Sequence, residues 1–117
     1  MSRETASKDN PILIVTACAS IDEAEKIANT LVQEKLVACA QIQGEMTSIY
    51  EWNGKAEMSK EIPLHLKTTS EHWDAVKRKI SFLHSYEVPE IIALPILEIS
   101  PEYHQWILGN VKKLVQA

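Results

Sequence analysis

Apolar positions along the chain fall into two periods, and the places where one gives way to the other outline a fold. After Pro11, Ile12-Leu13-Ile14-Val15-Thr16-Ala17-Cys18 is an apolar run, the pattern of a strand buried on both faces and so central in its sheet. Ser20-Ile21-Asp22-Glu23 then has the spacing of a capping box, in which the hydroxyl caps the third amide and Glu23 reaches back. Behind it Ala24, Ile27, Ala28, Leu31 and Val32 form a helical stripe that predicts an amphipathic helix to about Lys35. Period two returns from Leu36 and Val37 to Trp52. Gly44 interrupts that arm, as an isolated strand glycine does at a bulge or bend. Asn53-Gly54 supplies the positive φ angles of a type I′ turn, and the return arm from Lys55 to Thr68 carries Ile62, Leu64 and Leu66 in alternation. Pro63 cannot donate to a ladder, so its place in this arm must be a bulge or an unpaired position.

The helical period resumes after a cap at Thr69 or Ser70. Trp73, Val76, Ile80 and Leu83 are its apolar stripe, with Glu71 and Asp74 ahead of Lys77-Arg78-Lys79, the charge order a helix dipole favours. His84 to Glu90 reads as a loop, and Ile91 to Leu97 as a last core strand that Pro95 places near an edge. Ser100-Pro101 starts a third helix, with serine as cap and proline at the first position, and Tyr103, Trp106, Ile107 and Leu114 as its apolar side. The order βαβ, hairpin, βαβ with right-handed crossovers predicts an α+β fold, the ferredoxin-like βαββαβ plait with an antiparallel sheet and an extra C-terminal helix. Its first and third strands are central, and the long arm and the Pro95 strand are edges. A long exposed edge needs a partner, and pairing of unlike edges closes a ring. The long ribbon therefore predicts a cyclic homotrimer.

Composition narrows the function. The 117 residues are 45% hydrophobic and 24% charged, enough for one domain without staples. Residues 1–10 are polar and read as a disordered lead, with a single domain over 11–117. A net charge of −4 argues against nucleic acid as a partner. No stretch reaches the roughly 18–20 apolar residues that cross a bilayer. Two cysteines without a secretory signal predict reduced thiols and a cytoplasmic location. P-loop, G-x-G-x-x-G and H-E-x-x-H patterns are all missing, and no spacing implies a nucleophile–base pair, so the chain reads as a binding protein rather than an enzyme.

Several segments in register resemble one family. Glu34-Lys35-Leu36-Val37-Ala38-Cys39-Ala40, Ser48-Ile49-Tyr50-Glu51-Trp52-Asn53-Gly54-Lys55, Lys67-Thr68, His84-Ser85-Tyr86-Glu87-Val88-Pro89-Glu90 and Tyr103 to Trp106 resemble, in order, the motifs of the CutA-type divalent-cation tolerance proteins. The resemblance covers about Ile12 to Leu108. It implies a trimer similar in plan to the PII signalling proteins, associated with tolerance of copper and other divalent metals. Copper-binding relatives can use a cysteine at the end of the first strand and adjacent histidines before Pro-Tyr. Here Thr16 stands at that cysteine's position, Cys18 follows two residues later, Leu83 precedes His84, and Ser85 replaces the proline.

Cys39 and His84 are the candidate metal ligands, since thiolate and imidazole suit copper and zinc. The plainer reading makes Cys39 a small strand thiol and His84 a cap on the second helix. His65, His72 and His104 read as surface or packing residues. A second cluster, Trp52, Glu61, Lys67, Tyr86 and Glu90, is placed to line a cleft between subunits and take a small anionic ligand. The competing reading of Lys67 and Glu90 is a structural ion pair with Tyr86 packed over it.

Overall fold

The structure, a computed structural model, describes residues 8–114. Five strands and three helices follow in the order β1 (Pro11–Cys18), α1 (Ile21–Gln33), β2 (Cys39–Ile42), β3 (Met46–Trp52), β4 (Lys55–Thr69), α2 (Trp73–Leu83), β5 (Ile91–Pro95) and α3 (Pro101–Gly109). The sheet order is β2-β4-β1-β5, with β3 pairing on the outer length of β4, and β1 pairs antiparallel with both neighbours. β1 and β4 are thus central and the first arm and β5 are edges, the arrangement of a ferredoxin-like plait.

Period two decides which strand residues enter the core. Ile12, Ile14, Thr16 and Cys18 of β1 share a face with Ile62, Leu64 and Leu66 of β4, and all are buried. Ala24, Ile27, Ala28 and Leu31 of α1 and Val76 and Ile80 of α2 close that core. Burying one such aliphatic side chain contributes about 1.5–3 kcal/mol. Val32 lies at the margin of the α1 stripe and remains 41% exposed.

Local rules set the helix ends. The Ser20 hydroxyl accepts the Glu23 amide at 3.1 Å, and Glu23 Oε1 accepts the Ala19 amide at 2.9 Å. At the other end α1 stops at Gln33. The Leu36 amide donates to Leu31 O and the Lys35 amide to Val32 O, with Lys35 at φ 58°. This is a Schellman closure in which lysine occupies the left-handed position usually given to glycine. α2 is entered through a short 3₁₀ turn, Ser70–His72, so the cap expected at Thr69 or Ser70 gives way to Thr69 and His72 at the two N-cap positions, neither making a side-chain cap bond. Instead the Thr69 hydroxyl lies 2.7 Å from His72 Nδ1. His72 Nε2 donates to Lys112 O at 2.6 Å, so the hydroxyl donates to Nδ1. That bond ties the tail after α3 to the body. α3 itself is shorter than its apolar pattern predicted: Leu114 lies beyond it, in the tail, packed on the core.

The first arm is two strands. β2 pairs Ile42 with Leu64, whereas β3 resumes with Met46 opposite Glu61, so Gln43, Gly44 and Glu45 face only Ile62 and Pro63. This is the interruption expected at Gly44. The Gln43 amide donates to Pro63 O at 2.9 Å, and proline has no amide hydrogen to return the bond, so the ladder ends there. The Asn53 and Gly54 φ angles, 52° and 78°, are those of the expected tight turn.

One expectation needs correction. β5 ends at Pro95 and is not a core strand: Ile92, Leu94 and Leu97 are exposed, because β5 is an edge whose open face no described element covers. The expected disordered lead over residues 1–10 falls, for 1–7, outside the described residues. Lys8 and Asn10 accept backbone bonds from Glu71 and Ser70.

Candidate functional site

At one end of the plait the chain brings together the last residue of β1, the first turn of α1 and the residue that ends α2. Cys18 is fully buried there because period two aims it, like Thr16, at the helices. Glu23 is fixed by its capping role. His84 arrives as the C-cap of α2, its amide donating to Ile80 O at 2.8 Å, which agrees with its plainer reading as a cap. Its side chain then turns inward. Donor atoms of Cys18, Glu23 and His84 all lie within 4.8 Å of one another.

Hydrogen bonds fix the state of each member. His84 Nδ1 accepts the Tyr86 amide at 3.1 Å. Nε2 therefore carries the proton and donates to Ala17 O at 2.8 Å. Glu23 Oε1 stands 3.8 Å from His84 Nδ1, and Glu23 Oε2 accepts the Ser85 amide at 2.7 Å. Burial pushes the Glu23 carboxyl up, but the Ala19 and Ser85 bonds and nearby His84 outweigh it and hold the group below its ordinary value. Burial, followed by the Glu23 and Glu61 charges, pushes the Cys18 thiol up from 9.0 to about 12. Tyr86 extends the network. Its hydroxyl donates to Glu61 Oε2 at 2.9 Å, its ring lies 4.8 Å from that of His84, and burial, then the Glu61 bond, raises it to about 12.

The other candidates lie elsewhere in the chain. Cys39 pairs with Lys67 on β4, five residues along from Ile62, the partner of Cys18, and is outside the cluster. Lys67 sits with its ammonium 5.5 Å from the centre of the Tyr103 ring, within cation–π range. It does not meet Tyr86 within one chain. Lys67 precedes α2 and Tyr86 follows it, and a helix of 11 residues carries the chain about 16 Å back across the sheet. Among the described residues no Lys67–Glu90 ion pair forms; Glu90 is exposed, and Trp52 is 60% exposed at the hairpin tip. Of that set, one chain joins only Glu61 and Tyr86. His72 is buried in packing, and the His104 ring bonds Asp9 O at 2.9 Å.

The sequence pattern offered a signal for Cys18, its period-two relation to Thr16. It offered none for Glu23 as a site residue, since the Ser85 bond spans 62 residues.

Fold and site together define a ferredoxin-like plait with a buried thiol and imidazole beside a half-buried carboxylate at one end. The model of the CutA1 divalent ion tolerance protein family matches residues 12–110, and the chain belongs to that family. It is 36% identical over 102 residues to the divalent-cation tolerance protein CutA of Pyrococcus horikoshii, covering 87% of this chain and 99% of that one. The CutA of Thermus thermophilus is 40% identical over 98 residues, 84% of this chain and 95% of its own. The crystal structure of CutA1 from the psychrotrophic Shewanella sp. SIB1 superposes with a TM-score of 0.87 at 38% identity, covering 92% of this chain and all of that one, 100%.

Proposed function

We propose that this chain serves divalent-cation tolerance, copper included, by binding a metal ion or a small ligand as a cytoplasmic homotrimer rather than by catalysing a reaction. Family membership supports the tolerance role. The observation that carries the binding reading is His84, a sequence-level ligand candidate that the fold buries beside further donors. The donor types, thiol, imidazole and carboxylate, fit a transition metal. As they stand, each donor is protonated or hydrogen-bonded, so a metal must displace those partners. Support for a trimer comes from the apolar positions left uncovered on β5 and α3, Ile92, Leu94 and Trp106 at 43–47% exposure, since unpartnered apolar surface of this kind marks interfaces. Titration of the purified protein with copper tests the reading, beside His84→Ala and Cys39→Ala. Stoichiometric binding weakened in His84→Ala is expected, and equal weak binding by all three makes the metal link indirect.

A second reading has one specific support. Among the described residues, Lys67 is paired with no carboxylate, which leaves its charge for an anion in a cleft shared with a neighbouring subunit's Trp52, Glu61, Tyr86 and Glu90. A thermal-shift screen with nucleotides and carboxylates tests it, because a ligand of the native state raises its stability by mass action; no shift with any of them rejects it.

A further inference from the structure

We infer that Cys18, Glu23 and His84 form a site for one thiophilic d¹⁰ cation, of the Zn²⁺, Cd²⁺ or Cu⁺ class, and that filling it detaches the loop after α2 from the imidazole. The inference rests on the reading above that this chain binds metal, and names the ion class and the movement. Three protein donors with a fourth position left to solvent is an ordinary arrangement for such ions. A tetrahedral ion with bonds of about 2.0–2.3 Å holds its ligands nearer one another than 4.8 Å, so the three side chains must close by about 1 Å, within rotamer adjustment. A single carboxylate among the three donors disfavours Mg²⁺ and Ca²⁺, which need several oxygens.

The movement follows from the tautomer. His84 Nε2 carries a proton held by Ala17 O, so the lone pair is on Nδ1, the atom that faces Glu23. That lone pair now accepts the Tyr86 amide. One lone pair cannot serve both an N–H and a metal. On binding, Cys18 releases its proton to solvent, the sulfur and Nδ1 each donate a pair to the ion, and the Tyr86 amide is freed. Ser85 is attached to Glu23 and Tyr86 to Glu61 on the ribbon, so the change at the ion is handed to the hairpin.

The test is titration of the full chain, reduced and metal-free, with Cd²⁺. The readouts are thiolate-to-metal charge-transfer absorption, stoichiometry, and the Tyr86 amide by NMR hydrogen exchange. One Cd²⁺ per chain is expected, with a charge-transfer band retained in Cys39→Ala and lost in Cys18→Ala, faster exchange at Tyr86, and no competition from excess Mg²⁺. Glu23→Gln keeps the thiol and serves if Cys18→Ala misfolds; it is expected to weaken Cd²⁺ by about tenfold or more. A band that survives in Cys18→Ala but vanishes in Cys39→Ala, binding without any band, or an unchanged Tyr86 amide overturns the inference and leaves the binding reading intact. No binding of Cd²⁺, Zn²⁺ or Cu⁺ overturns both.

Discussion

Thr16 carries a buried side-chain oxygen for which the described residues provide no hydrogen-bond partner. A buried hydroxyl left unpaired costs about 1–3 kcal/mol, and valine has nearly its shape. Thr16→Val is therefore expected to raise unfolding stability by about 1 kcal/mol in a urea titration, and a loss would show that the hydroxyl is satisfied by buried water. Lys35 holds a left-handed conformation at φ 58° that lysine adopts at a cost of about 1 kcal/mol. Lys35→Gly is expected to raise the melting temperature despite the looser unfolded chain; a fall would mean the lysine stem contributes packing that exceeds the relief. Titrating groups set the pH limits. The raised thiol and phenol of Cys18 and Tyr86 stabilise the fold below their unfolded values, and that share is lost as pH rises from 9.0 toward about 12. Glu23 works in the opposite sense, its share present above its ordinary value of 4.5 and lost as pH falls below it. Melting temperature against pH should decline on both sides, and Cys18→Ala should flatten the alkaline limb. An alkaline limb identical in the variant would remove Cys18 as its source.

Elements were legible where a local cause decides them. The capping box, the Asn-Gly turn, Pro101 at a helix start and the α1 and α2 stripes all act within a few residues, and the structure shows each. What escaped is non-local. α2 begins at a buried histidine whose bond partner lies 40 residues away, so a hydroxyl cap was the nearest local guess. β5 resembled a core strand because an edge strand facing an uncovered surface and a buried strand share one apolar pattern. Ser20→Ala should cost about 1 kcal/mol in chemical unfolding, since it releases the Glu23 amide and loosens the carboxylate that holds Ser85. Unchanged stability would mean that Glu23 is positioned by the loop alone.

For the whole molecule, the plait and its family were readable because several motifs occur in order along most of the chain. The cluster was only partly readable. His84 and Tyr86 sit in a recognisable loop, while Cys18 and Glu23 reach them through a fold that returns after a strand, a hairpin and a helix. Cys39 is a thiol in a family motif, yet β2 places it opposite Lys67. Assembly belongs to this scale as well. If the open face of β5 is buried between subunits, Leu94→Lys should convert the trimer mass to monomer in light scattering coupled to gel filtration. Retention of a trimer would direct the interface to the ribbon instead.

The mismatch at residues 43–45 makes chain length itself a control on where the hairpin points. Below it, pairing of β2 with β4 is set by the core; above it, pairing of β3 is set by the two-residue turn at Asn53-Gly54. These two registers differ by one residue, and the extra residue around Gly44 reconciles them. Although these positions are exposed, losing one should be tolerated by the pairing on both sides, because two residues would then face Ile62 and Pro63 and the registers of β2 and β3 would join with no partner from Met46 to Trp52 sliding. What a deletion here removes is the bend that a bulge imposes on its strand, so the hairpin tip should change direction while its own pairing stays intact, and an insertion should widen the offset instead.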